Sequence, residues 1–105
     1  MGATKNELFT AQQNQIAAIA KAISHPARIA ILQYLVKVNS CVCGSIVEEI
    51  GLSQSTISQH LKELKKMDII KGDVSGASVC YCINGKKMEE VGAIFNQMFQ
   101  NFSCC

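Results

Sequence analysis

Residues 45–67 read SIVEEIGLSQSTISQHLKELKKM, and this stretch decides the fold. Ser45 to Ile50 forms a short helical segment closed by Gly51, a residue that stops helices because it enters the left-handed region without a Cβ penalty. Ser53 then stands where a hydroxyl caps the N-terminus of a new helix. A helical rotation of about 100° per residue places Ile57, Leu61 and Leu64 on one side of residues 54–67. Ser55, Gln59, Lys62 and Lys66 fall on the other side, flanked by Thr56 and Ser58. A short helix, a tight turn containing Gly and a longer amphipathic helix make a helix-turn-helix.

The flanks extend this motif in both directions. Upstream, Ile16, Ile19, Ala20 and Ile23 recur at helical spacing between Glu7 and Ile23, and Pro26 opens a second helix with Ile29, Leu32, Leu35 and Val36 on one face. Asn39 to Gly44 is a break. Downstream of Met67, the runs DIIKGDV and ASVCYCI with a turn at Ser75 and Gly76 read as a β-hairpin. A last helix from Lys86 to about Phe102 carries Met88, Val91, Phe95, Met98 and Phe102 at alternating spacings of three and four, the period of a helix-helix seam. The order of elements predicts a mainly α winged helix-turn-helix with five helices and a small β-hairpin wing, one domain spanning residues 1–105.

Composition narrows the function. Hydrophobic residues make up 49 % of the 105 and charged ones 17 %, which excludes a disordered tail protein. No apolar run approaches the roughly 20 residues that span a bilayer, and no basic-then-apolar leader opens the chain, so no membrane partner and a cytoplasmic location are expected. The net charge of +2 predicts few phosphate contacts per chain and hence a dimer on a two-fold site. An enzyme is not expected: there is no Gly-rich phosphate loop, and the two histidines, His25 and His60, stand far apart in sequence. His60 falls near the edge of the buried face and reads as a packing or hydrogen-bonding histidine.

Small hydroxyl and amide side chains at a helix N-terminus, with lysines further along, suit base-edge reading followed by phosphate contact. The candidate DNA-binding set is therefore Gln54, Ser55, Thr56, Ser58, Gln59, Lys62 and Lys66, with Lys71, Ser75 and Gly76 on the wing. The stretch SHPARIAILQYL followed by CVCGSIVEEIGLSQSTISQHLKELKKMDIIKGDVSGASVCYCI closely resembles the ArsR/SmtB family of bacterial winged-helix repressors that sense metal and metalloid ions. The resemblance covers residues 20 to 84, and LSQSTISQHLKEL is its most specific part. It implies double-stranded operator DNA as partner, the helix at 54–67 in the major groove, and a homodimer built from the first and last helices. Ile16, Ile19, Met88, Val91, Phe95, Met98 and Phe102 are the candidate dimer residues.

Six cysteines form three close pairs, none with CxxC spacing. Cys41-Val42-Cys43 lies where the resemblance places the CVC of arsenic-sensing members, which implies an As(III) or other thiophilic inducer and no required cofactor. Those members carry a further Cys three residues on, where Ile46 stands here, so a third sulfur is expected from Cys104 or Cys105. The carboxylate and imidazole site of zinc-sensing relatives is absent, since no His follows His60. Cys80 and Cys82 alternate with Val79, Tyr81 and Ile83 and read as strand-face packing. Two alternatives stay open: a redox or reactive-sulfur sensor, whose relatives use one Cys in the second helix and one in the last, and a repressor with no ligand. The second helix here has no Cys.

Overall fold

Apolar spacing becomes packing in the order the chain runs. The structure, a computed structural model, describes residues 8–75 and 78–103. Helix α1 spans Ala11–Ile23 and α2 Pro26–Val38; α3 spans Ile46–Ile50 and α4 Gln54–Lys66; strands β1 (Ile70–Ser75) and β2 (Ser78–Ile83) form the wing; α5 spans Gly85–Met98. Among the described residues the result is a winged helix-turn-helix with five helices, as the order of elements predicts.

The caps explain the boundaries. Thr10 opens α1 with a full capping box: its hydroxyl accepts from the Gln13 N–H while the Gln13 side chain accepts from the Thr10 N–H. The Thr10 cap thus starts α1 four residues later than its apolar spacing predicts. At the other end α5 stops at Met98 rather than near Phe102, so Phe102 lies beyond the helix. Gly51 closes α3 at φ +85°, a left-handed conformation that the turn into α4 requires. Ser53 caps α4 by accepting from the Thr56 N–H.

One core lies between α2, α4 and the base of the wing. Ile31, Leu35, Ile57, Leu64, Ile69 and Ile70 are fully buried within it. Each such side chain contributes about 1.5–3 kcal/mol by leaving water. Val42 joins them from the loop before α3, because its N–H and C=O exchange two 2.8 Å hydrogen bonds with Tyr81. The Cα radius of gyration of 16.1 Å exceeds the roughly 13 Å of a compact chain this long. None of the residues of helix α5 is fully buried.

Candidate nucleic-acid interface and thiol cluster

Helix α4 is fixed from behind and free in front. Ile57, His60, Leu61 and Leu64 are buried, while Gln54, Ser55, Thr56, Ser58, Gln59 and Lys62 are exposed. Its first turn is organised by its own hydrogen bonds. Ser53 donates to Thr56 Oγ1 at 2.9 Å, Gln54 Nε2 donates to Ser58 Oγ at 3.1 Å, and the Ser53 and Ser55 hydroxyls lie 3.4 Å apart. Lys66 is exposed but pairs with Glu63 at 3.3 Å. Lys71 is exposed on β1. Ser75 ends β1, and Gly76 lies outside the described residues. A cleft of about 300 Å³ separates α4 from the wing, with Gln54 and Ser58 on one wall, Val79 and Tyr81 on the other, and Cys43 at its edge.

Behind α4, the fold joins two histidines that the sequence keeps apart. The rings of His25 and His60 lie 4.4 Å centroid to centroid. His25 caps α2 by accepting from the Ala27 N–H at 3.0 Å. Arg28 Nε donates to His60 Nδ1 at 3.1 Å, and its Nη1 donates to the Ala22 carbonyl at 2.9 Å. Accepting at Nδ1 requires that atom to carry no proton. Burial first, then the charges of His25 and Arg28, push the His60 pKa below its ordinary value. His60 therefore has the hydrogen-bonding role expected of it, and Arg28, which the sequence did not single out, is its partner.

The cysteines are arranged otherwise than expected. Cys41 is joined to Cys82 and Cys43 to Cys80 in two disulfides, with Cα–Cα distances of 4.3 and 4.0 Å. The backbone explains the closeness. Val42 and Tyr81 form a hydrogen-bonded antiparallel pair, so the residues on either side of them face each other as the closer, non-hydrogen-bonded pairs. The strand-face packing expected of Cys80 and Cys82 is thereby corrected. Cys80 is buried yet stands outside the core cluster, and both cysteines share the face opposite Val42, Tyr81 and Ile83. Cys104 and Cys105, expected to supply a third sulfur, lie outside the described residues. With the four sulfurs joined in pairs, no group of three or more His, Cys, Asp or Glu side chains among the described residues is placed to hold a metal ion.

The expected dimer residues divide. Ile19 is fully buried in its own chain and has no surface to offer, because α1 turns it inward. Met88 is half-buried against the core of its own chain. Ile16, Val91 and Phe95 are half-buried, and Met98 and Phe102 are exposed.

The family model described as "Bacterial regulatory protein, arsR family" matches residues 25–71. The chain is 36 % identical over 83 residues to an HTH-type transcriptional regulator of Methanocaldococcus jannaschii, covering 78 % of this chain and 92 % of that one. It is 31 % identical over 80 residues to the transcriptional repressor PagR of Bacillus anthracis, covering 76 % and 80 %. Among solved structures, the transcriptional repressor BigR from Xylella fastidiosa superposes with a TM-score of 0.65 at 26 % identity, over 87 % of this chain and 92 % of that one. NolR from Sinorhizobium fredii superposes at 0.66 over 94 % and 97 %, and at 24 % identity it speaks for the fold alone.

Proposed function

The chain belongs to the arsR family of bacterial regulatory proteins, DNA-binding transcriptional regulators and not enzymes, and from that premise we propose a homodimeric repressor that reads a two-fold operator with α4. The observation that carries this reading is the division of α4 into a wholly buried apolar side and an exposed first turn of hydroxyls and amides. Side chains already held by Ser53 lose less freedom on meeting base edges. Lys62, Lys66 and Lys71 supply phosphate contacts, which position the protein without reading sequence. A net charge of +2 leaves one chain with little electrostatic affinity, so two chains are needed, and α5, whose apolar side is only half-buried and runs on into the exposed Met98, Phe99 and Phe102, fits that role.

The effector reading concerns Cys41 and Cys43. They directly precede α3, and α3 packs on α4 through the shared core of Ile46 and Ile57. A thiophilic ion such as As(III), bound there in the reduced protein, displaces the start of the helix-turn-helix and lowers DNA affinity. The two disulfides favour a second reading, in which oxidation of the same thiols relieves repression.

Fluorescence anisotropy of the reduced protein on DNA from its own upstream region tests both parts. Gln59→Ala should weaken specific binding by about ten-fold, the loss of one base-edge contact, with an unchanged circular dichroism spectrum. Arsenite should release the DNA, and Cys43→Ser should bind DNA normally but resist release. Retention by the untreated protein that is no better for its own upstream DNA than for random DNA defeats the repressor reading; release of Cys43→Ser by arsenite defeats the ion site. Release by a polysulfide oxidant alone selects the second effector reading.

A further inference from the structure

We propose that Cys41, Cys43, Cys80 and Cys82 together form one four-sulfur site for a soft metal ion, half of it supplied by the loop before α3 and half by the wing strand β2. The proposal rests on the reading of Cys41 and Cys43 as ion-sensing thiols, and adds ligands from a different element. Its warrant is register. The Val42–Tyr81 pair aligns C-V-C antiparallel to C-Y-C, so Cys41 faces Cys82 and Cys43 faces Cys80 across 4.3 and 4.0 Å between Cα atoms. Alternation along both segments then turns all four side chains to the face opposite Val42 and Tyr81. Four thiols are thereby concentrated on one patch by backbone hydrogen bonds that need no sulfur chemistry to form.

A chain that acts on DNA inside a cell meets a reducing environment, where such a cluster exists as thiols and clustered cysteines serve as metal ligands. Zinc takes thiolate sulfur at about 2.3 Å in tetrahedral sites, which sets neighbouring sulfurs about 3.8 Å apart, and larger soft ions spread them somewhat further. Cross-strand cysteines this close reach that spacing by small χ1 rotations once the disulfides are opened. The same face carries one further charge of each sign: Lys71 is in register with Cys82 and Asp73 with Cys80. The lysine offsets thiolate charge, and the aspartate adds to it. Disulfide and ion compete for the same sulfurs, so the site is empty of ligands when oxidised. An ion held there ties the approach to α3 to the wing, the two segments that flank the cleft beside Gln54 and Ser58.

The test uses the full chain and cadmium(II) alone. A water-soluble phosphine first reduces the protein; for each disulfide one phosphine takes an oxygen from water to become its oxide, leaving two thiols. After anaerobic desalting, cadmium is titrated while the cadmium–thiolate charge-transfer absorption is followed. Saturation at one ion per chain is expected, with Cys80→Ser and Cys82→Ser each losing about a quarter of the intensity, one thiolate in four. Cys104→Ser and Cys105→Ser should change nothing. The cadmium NMR resonance of the unmutated protein counts the sulfurs independently, which keeps the test decisive should the buried Cys80 tolerate no replacement. Unchanged intensity and affinity in Cys80→Ser and Cys82→Ser, with losses only in Cys41→Ser and Cys43→Ser, overturn the four-sulfur site and leave the loop thiols as the sensor. Failure of the reduced protein to bind cadmium overturns the ion reading at all four. Neither result touches the reading of DNA by α4, which is measured without metal.

Discussion

Helices α4 and α5 are alike in length and amphipathic pattern, yet the chain treats them oppositely. Helix α4 buries four side chains, among them Ile57 and Leu64 at 1 % and 0 % exposure, and α5 buries none. Because α4 finds its apolar neighbours within one chain, its polar side is left exposed. Helix α5 is only half-buried on its own chain: Met88 packs on the core, Val91, Ile94 and Phe95 are partly covered, and Gln15 donates to Glu90 at a long 3.5 Å. Met98, Phe99 and Phe102, at 47, 64 and 80 % exposed, extend its apolar character past the helix end. Large exposed apolar surface of this kind marks an interaction site. The same sequence pattern thus gives a core helix in one place and a surface in search of a partner in the other.

Three substitutions or conditions break or sharpen this contrast. The largest effect belongs to Leu64→Ala, which opens a cavity in the core and should cost about 2–5 kcal/mol of stability in urea unfolding. Phe95→Asp should instead leave the chain folded while raising the dimer dissociation constant at least about ten-fold, read by sedimentation. If Phe95→Asp unfolds the protein as Leu64→Ala does, α5 belongs to the core after all and the contrast between the helices fails.

The smallest effect is that of pH on the buried side of α4. His60 is held neutral by burial, by His25 and by Arg28, below its ordinary pKa of 6.5. The unfolded chain takes up a proton as pH falls through that value, and the folded chain resists it. Stability is therefore retained above 6.5 and lost as the pH drops below it. Thermal melts between about pH 7.5 and 5.5 should show this slope, and His60→Gln, which keeps an acceptor for Arg28, should flatten it. Glu63 and Lys66 line a cleft together with His25 and Arg28. An equal slope in His60→Gln would place the pH dependence elsewhere.

Much of the helix-turn-helix was legible because its determinants are local. The spacing of Ile57, Leu61 and Leu64, the stop at Gly51 and the cap at Ser53 lie within one stretch, and the helix they predict is the one observed. The arrangement of the thiols was not legible in that way. Assigning Cys80 and Cys82 to packing followed from alternation within β2, which says which residues share a face but not what that face meets. The signal that was available is the repeated C-x-C in both segments, with Val42 and Tyr81 at the centres. Ile19 illustrates the same limit: its helical spacing is correct, and only packing decides whether that face meets its own chain or another.

By itself, then, the sequence determined the elements, their order and the polar tip of α4, because helix periodicity, caps and turn residues act over a few neighbours. Tertiary structure alone decided that His25 meets His60, that Arg28 donates to His60, and that Cys41 and Cys43 face Cys82 and Cys80. Those contacts span 32 to 41 residues of chain. They depend on how the closing of the core brings the loop before α3 against the wing, a relation between distant segments that no local pattern encodes.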